Sequence, residues 1–324
     1  MEQSNVESLF EHIDNLTETV QQYMNETYLD SLTIALETVF YGNPPEEMGD
    51  FEQNLPSIPD LSAYDIVDIR KAVQLAILKG MKGATQQQHL MTPETVALFV
   101  GYLASKVTSD QENIRVFDPA SGTGNLLTVV TEQLDKLGDV VAGEVDPTLI
   151  KLAVLNANLQ QKEIEFFHQD SLRPFLLDPV DLVVSDLPVG YYPDDIRAND
   201  YELRAEEGHS YAHHLFIEQS MNYTKPGGYL ILVIPEFLFD SDQSDKLHAY
   251  LQEQAHIIGV LQLPESAFKA DKNRKSILML QKKGPDTTGL KQPLLVQVPS
   301  FKNTDAMNDI LAQMNAWFSD TMKQ

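Results

Sequence analysis

The chain has 324 residues, 43% hydrophobic and 22% charged, enough for one substantial α/β domain plus an appendage. Its formal net charge of −25 disfavours an unaided grip on duplex DNA, and the lack of cysteine excludes thiolate nucleophiles, cysteine zinc sites, iron–sulfur clusters and covalent cytosine-C5 methylation. No apolar run has the length of a bilayer span, and the start MEQSNVESLF lacks the basic-then-apolar order of a signal peptide, so a cytoplasmic protein without membrane contact is expected.

Residues 1–85 read as a helical N-terminal domain. Val6, Leu9, Phe10, Ile13, Leu16 and Val20, then Tyr28, Leu32, Ala35, Leu36, Val39 and Phe40, recur at helical spacing as far as Tyr41. Gly42-Asn43-Pro44-Pro45 breaks the pattern and Glu46–Asp60 reads as an acidic loop. Tyr64–Leu78 reads as a third helix, which Gly80 to Gly83 should end. Neither Lys nor Arg occurs before Arg70, so these helices offer an acidic surface to a protein partner or simply cap the rest of the chain. In His89–Val100, Thr92 has the grammar of an N-cap, with Pro93 at the first helical position.

The stretch NIRVFDPASGTGNLL, Asn113 to Leu127, reads as a buried strand over Asn113–Phe117, a tight turn through Gly122 and Gly124, and a helix from Asn125 onward. Glycines there let the backbone approach a ligand, and the exposed amides suit a carboxylate or phosphate. Asp118-Pro119 adds a carboxylate at the strand's mouth, which would repel a pyrophosphate but could hold an ammonium. The loop therefore favours a zwitterion. A nicotinamide loop would want a third glycine at position 127, where this chain has Leu127.

VFDPASGTGNLL resembles the first motif of the class I S-adenosylmethionine-dependent methyltransferases, and in particular of the adenine-N6 DNA methylases related to the modification subunits of type I restriction systems. That resemblance implies a doubly wound, mostly parallel, seven-stranded Rossmann-like sheet over residues 86–300, with S-adenosylmethionine as cofactor. It implies that the cofactor is held by Asp118 and the loop Ala120, Ser121, Gly122, Thr123, Gly124, Asn125 and Leu126. Met91-Thr92-Pro93 resembles the Tyr-Thr-Pro segment that packs on the cofactor's methionine end in that family, with Met91 where tyrosine is usual.

Asp139–Val145 reads as the second strand and delivers Glu144 and Val145; an acid at this place accepts hydrogen bonds from ribose hydroxyls. Asp146-Pro147 then starts the helix that continues over Ile150–Leu159. Ile164–Phe167 reads as the third strand and leads to Asp170 and Ser171; by resemblance Asp170 holds the adenine amino group of the cofactor, although a turn cap would explain it too.

Val180–Ser185 reads as the fourth strand, followed by Asp186-Leu187-Pro188-Val189. In amino-methylating enzymes this place holds Asn, Asp or Ser, then Pro-Pro and an aromatic. The side-chain oxygen and a proline carbonyl hold the amine's two hydrogens while the aromatic stacks on an extruded base. Asp186 and Pro188 fit; Leu187 and Val189 depart, leaving Tyr191 or Tyr192 to stack. By resemblance Asp186 also borders the cofactor. Asp194–Gly208 reads as an acidic functional or disordered loop that would repel phosphates, and His209–Tyr223 as a helix. His209, His213 and His214 lack a further ligand at metal spacing, so no metal is expected.

Lys225-Pro226-Gly227-Gly228 turns into a fifth strand, Tyr229–Ile234. A helix over Ser244–Gln254, a sixth strand over Ile257–Leu263 and a seventh over Ser276–Gln281 follow, and Leu263-Pro264 to Phe268 with Lys275-Ser276-Ile277-Leu278 also resembles the type I modification subunits. Pro293–Val298 reads as an added strand and residues 301–324 as a C-terminal helical segment packed on the core. No target-recognition segment is evident after the core. The expected activity is N-methylation, of adenine N6 in nucleic acid, assisted by a partner if the substrate is DNA; the alternatives are a protein or small-molecule amine methyltransferase and a cofactor-binding scaffold with impaired catalysis.

Overall fold

The computed structural model describes residues 4–83, 91–268 and 273–321. The N-terminal helices follow from their punctuation. Helix α1 (Asn5–Met24) opens on a capping box between Ser4 and Glu7 and stops at Asn25 in the left-handed region, φ 56°. Helix α2 (Tyr28–Tyr41) is capped by Thr27 and stopped by Gly42, φ 74°. The Glu46–Asp60 segment, read as a loop, contains 3-10 turns over Glu46–Asn54.

Helix α3 (Ile66–Gly83) does not stop at Gly80. A Cβ at Gly80 would collide with Leu29 Cδ2 and lie 2.8 Å from the Tyr28 ring, so this glycine is where α3 passes closely over α2. The expected boundary near residue 85 and residues His89 and Leu90 lie outside the described residues.

The core begins with α4 (Glu94–Val107). It continues through β1 (Ile114–Asp118), α5 (Asn125–Glu132), β2 (Leu137–Glu144), α6 (Pro147–Leu159), β3 (Glu165–His168), β4 (Val180–Asp186), α7 (Asp195–Ala198) and α8 (Ala212–Asn222). Then come β5 (Thr224–Pro235), α9 (Ser244–Gln254), β6 (Ala255–Gln262), β7 (Lys275–Lys282), β8 (Leu294–Gln297) and α10 (Thr304–Thr321). Among the described residues the sheet has eight strands in the order β3-β2-β1-β4-β5-β7-β6-β8: the seven of the expected sheet and the added strand read over Pro293–Val298, which forms β8 and pairs parallel to β6 beyond the β7 turn-back. Of these pairings, β5–β7 and β6–β7 are antiparallel and the rest parallel. The order reverses between β1 and β4, so the crevice beyond their C-terminal ends is where such a sheet binds ligands.

Two apolar layers cover the sheet. One joins α4, α5 and α10 to one face through residues such as Val100, Val130, Met314 and Phe318; the other joins α8 and α9 to the opposite face through Leu215, Ile217 and Leu247. A third cluster has a different geometry. Leu32 and Leu36 of α2 and Val73 and Ile77 of α3 share a cluster with Leu149, Leu152, Leu155 and Leu159 of α6, against which those two helices pack, and Leu9 and Ile13 of α1 join it through α2 and α3. Burying each such side chain contributes about 1.5–3 kcal/mol, so the helical bundle is bonded to the core rather than tethered to it.

Asp194–Gly208 is not a loose loop. Ala198, Tyr201 and Leu203 are buried, the Tyr201 hydroxyl donates to the Leu172 carbonyl at 2.6 Å, and the Glu218 carboxylate receives the amides of Glu202 and Leu203 at 3.0 and 2.8 Å. Alternation of buried and charged residues without a regular period hid this from the sequence. Among the described residues no helix is long and apolar enough to cross a membrane.

Candidate functional site

A cleft of about 880 Å³ opens where β1, β2 and β4 end, lined by the glycine loop, Glu144, Asp170, Asp186 and Lys275 among others. Its floor is the turn after β1. Gly122 and Gly124 have φ of 54° and 74°, and the Gly124 amide donates to the Ser121 carbonyl at 2.8 Å. Both conformations disfavour a side chain, and at Gly124 a Cβ would also press on Ala153 Cβ at 3.3 Å. The Ser121 amide donates to the Gly143 carbonyl at 3.0 Å, and Asn156 Nδ2 donates to the Thr123 carbonyl at 3.1 Å, so the turn is held from β2 and from α6. Leu126 is buried beneath it and Ala120 is partly exposed.

The acids around this floor are held differently. Glu144 Oε2 receives the Gly122 amide at 2.9 Å while Oε1 receives the amides of Val145 and Asp146 at 2.8 and 2.9 Å. It ties the end of β2 to the glycine loop before any ligand is considered; the Val145 side chain itself points to solvent, 60% exposed. Asp146 caps α6 with Pro147 at its first turn, as the pair predicts. Asp118 Oδ1 accepts from Ser185 Oγ at 2.8 Å and from the Ala120 amide at 3.0 Å, but its buried Oδ2 has no partner. Burial pushes the Asp118 carboxyl up to about 7, a shift that those two hydrogen bonds oppose and the nearby Glu144 and Asp186 charges reinforce.

Asp170 Oδ1 receives the Leu172 amide at 3.0 Å, the turn role the sequence allowed, and its Oδ2 receives the Tyr192 hydroxyl at 2.5 Å. Ser171 is buried with its Oγ unpartnered. Tyr192 is 6% exposed; burial, followed by the bond to Asp170, raises its phenol well above the usual range. As placed, Tyr192 braces Asp170 and presents no free face. Tyr191 beside it is 60% exposed and stacks on Tyr211 with centroids 4.9 Å apart and planes 12° apart.

At the end of β4, Asp186 holds two donors, the Thr92 hydroxyl on Oδ2 at 2.8 Å and the Lys275 ammonium on Oδ1. Thr92 is therefore not the N-cap of α4: that position falls to Pro93, without a side-chain bond, and the hydroxyl reaches across 94 residues of sequence instead. The Thr92 carbonyl accepts from Asn125 Nδ2 at 2.6 Å, and Asn125 Oδ1 accepts from Gln74 Nε2 of α3. Met91 is partly exposed on the cleft wall. Leu187, although buried, lines the cleft together with the more exposed Pro188 and Val189.

The sequence offered no signal for Gln74, Ser185 or Lys275. The three histidines do not converge: His209 Nδ1 lies 2.9 Å from Asp195, and His213 and His214 are fully buried, with burial pushing their imidazoles down to about 3 and about 4. Among the described residues no group of three metal-ligating side chains occurs.

The site fits a zwitterionic nucleoside. An unpartnered Ser171 hydroxyl borders the cleft, an unpartnered buried carboxylate oxygen on Asp118 lies just before the loop that lines it, and Glu144 and Asp170 stand at or just after the ends of successive strands beside a turn whose two glycines have positive φ.

Comparison with known proteins agrees. Residues 80–315 match the family described as N-6 DNA Methylase, and residues 7–81 match the YtxK N-terminal helical domain. The chain is 44% identical over 325 residues to the uncharacterized protein YtxK of Bacillus subtilis (strain 168), covering 98% of this chain and 99% of that one. A crystal structure from Listeria monocytogenes, described as a candidate class I S-adenosylmethionine-dependent methyltransferase, superposes with a TM-score of 0.90 at 40% identity, covering 97% of this chain and 99% of that chain. A modification subunit of a candidate type I restriction enzyme from Vibrio vulnificus shares the fold at 19% identity and a TM-score of 0.62, over 88% of this chain and 66% of that chain. The chain thus belongs to the N-6 DNA methylase family and is a class I S-adenosylmethionine-dependent methyltransferase.

Proposed function

We propose that this methyltransferase acts on a planar amine, adenine N6 in nucleic acid. The observation that carries the reading is Asp186, which closes β4 and is followed by Pro188, both bordering the cleft that holds the glycine loop. S-adenosylmethionine, when bound, supplies a methyl group on a cationic sulfur. Asp186 and the Pro188 carbonyl accept the two N–H bonds of the exocyclic amine, which turns its lone pair out of conjugation with the ring. Tyr191 offers the exposed aromatic face that Val189 lacks, so an extruded base would stack there, beside Tyr211. With a net charge of −25, the chain would rely on a partner for its grip on DNA, docked through the acidic N-terminal helices.

A second reading is favoured by one observation. Both oxygens of Asp186 already hold internal donors, which suits a cofactor-binding protein with impaired transfer. Tritiated methyl transfer to total DNA, RNA and protein separates the readings. We expect label on adenine in nucleic acid, reduced by about 100-fold or more in Asp186→Ala, a typical cost for a group that positions the reacting atom. Label confined to protein or small amines would overturn the adenine reading. No label from a chain that binds the cofactor would favour the scaffold.

A further inference from the structure

Lys275 opens β7 opposite Pro235 of β5, and its side chain, 17% exposed, delivers its ammonium to Asp186 Oδ1. Of the two groups on Asp186, Thr92 is fixed: it is buried and its carbonyl is held by Asn125. Lys275 is different. It sits at the end of a flexible four-carbon stem and presents a primary ammonium, a charged counterpart of the donor group that a substrate amine would present. The remaining wall beside it includes Pro188, Val189 and Tyr191, the acceptor end of the cleft.

We propose that the Lys275 ammonium fills the amine subsite beside Asp186 and thereby selects the acceptor class. A donor reaches Asp186 Oδ1 by displacing Lys275 or by sharing that oxygen with it. A neutral, planar amine does so without bringing a second positive charge against the first, whereas an aliphatic ammonium, such as a lysine side chain or a polyamine, meets like-charge repulsion in a half-enclosed site where solvent screens poorly. Lys275 is thus a specificity-determining residue that admits exocyclic aromatic amines and rejects aliphatic ones. This inference rests on the amine-transfer reading of the site.

The test is binding, read by calorimetry. Sinefungin carries an ammonium where S-adenosylmethionine carries its transferable methyl; S-adenosylhomocysteine carries nothing there. Wild type and Lys275→Arg should bind S-adenosylhomocysteine about tenfold more tightly than sinefungin, and Lys275→Met should erase that preference by raising sinefungin affinity about tenfold while changing S-adenosylhomocysteine affinity less than about twofold. Lys275→Gln is the second neutral variant should the first fold poorly. Parallel changes in both affinities, or no gain for sinefungin in either neutral variant, would overturn the proposal. Failure of wild type to bind S-adenosylhomocysteine would instead overturn the cofactor reading, and this inference with it.

Discussion

The two ends of the cleft are built on different principles. At the end proposed to hold the cofactor, the loop Ser121–Gly124 and the acid Glu144 lie at the ends of adjacent strands, and their partners are mostly backbone groups within a few residues or one strand away. At the end proposed for the acceptor, Asp186 is held by Thr92 and Lys275, 94 and 89 residues distant. The first end is a local device that any sheet of this type carries; the second is assembled only when the whole chain has folded. Substitutions should therefore separate cofactor binding from transfer.

The largest separation is expected at Gly124→Val. A β-branched residue at φ 74° that also presses on Ala153 costs about 1–3 kcal/mol, so cofactor affinity should drop roughly 10- to 100-fold by calorimetry. An unchanged affinity would show that the turn does not shape the cofactor seat.

Asp118 sharpens the comparison through pH. If its carboxylate holds the ligand's ammonium, affinity should weaken by about tenfold per unit as pH falls below about 7, and Asp118→Asn should bind more weakly with no such dependence. Stability should run the other way. A folded-state carboxyl raised to about 7 contributes stability that is complete below its unfolded value of 3.8 and lost as pH rises through about 7. The ligand-free Asp118→Asn variant should therefore melt higher than wild type at pH 8, by an amount set by a few kcal/mol. A lower melting temperature would mean that the bonds to Ser185 and Ala120 outweigh burial.

The smallest separation of the two ends is expected at Gln74→Ala, which leaves the buried Asn125 Oδ1 without its donor. The cost is about 1–3 kcal/mol in denaturant unfolding, with methyl transfer reduced more than cofactor affinity. Equal losses in both would show that the two ends are not separable from this side.

The same contrast explains what can be read from the sequence. The glycine turn, the Asp146-Pro147 helix start and the strand pattern are legible because each is dictated by neighbours within a few residues. Gly80 reads as a stop because a helix-ending glycine and a glycine at a close helix crossing look alike until Tyr28 and Leu29 are in place. Thr92 satisfies the N-cap pattern, but its hydroxyl finds a carboxylate on a distant strand. Tyr191 and Tyr192 are adjacent in an irregular segment, where no period says which one is buried. Lys275 stands within a stretch resembling related proteins, yet its ion pair spans 89 residues and has no local mark.

One consequence follows from the string Gln74, Asn125, Thr92 and Asp186, in which each side chain is bonded to the next residue. It starts on α3, in the helical bundle, and ends on Asp186, the acid proposed to face the acceptor. Thermodynamic reciprocity sets the terms: if a molecule docked on the bundle shifts α3 and through this string alters how readily Asp186 accepts a guest, the guest alters the hold on that molecule by the same factor. The bundle is in this sense a handle on the chemistry, positioned to report the state of one end of the protein to the other.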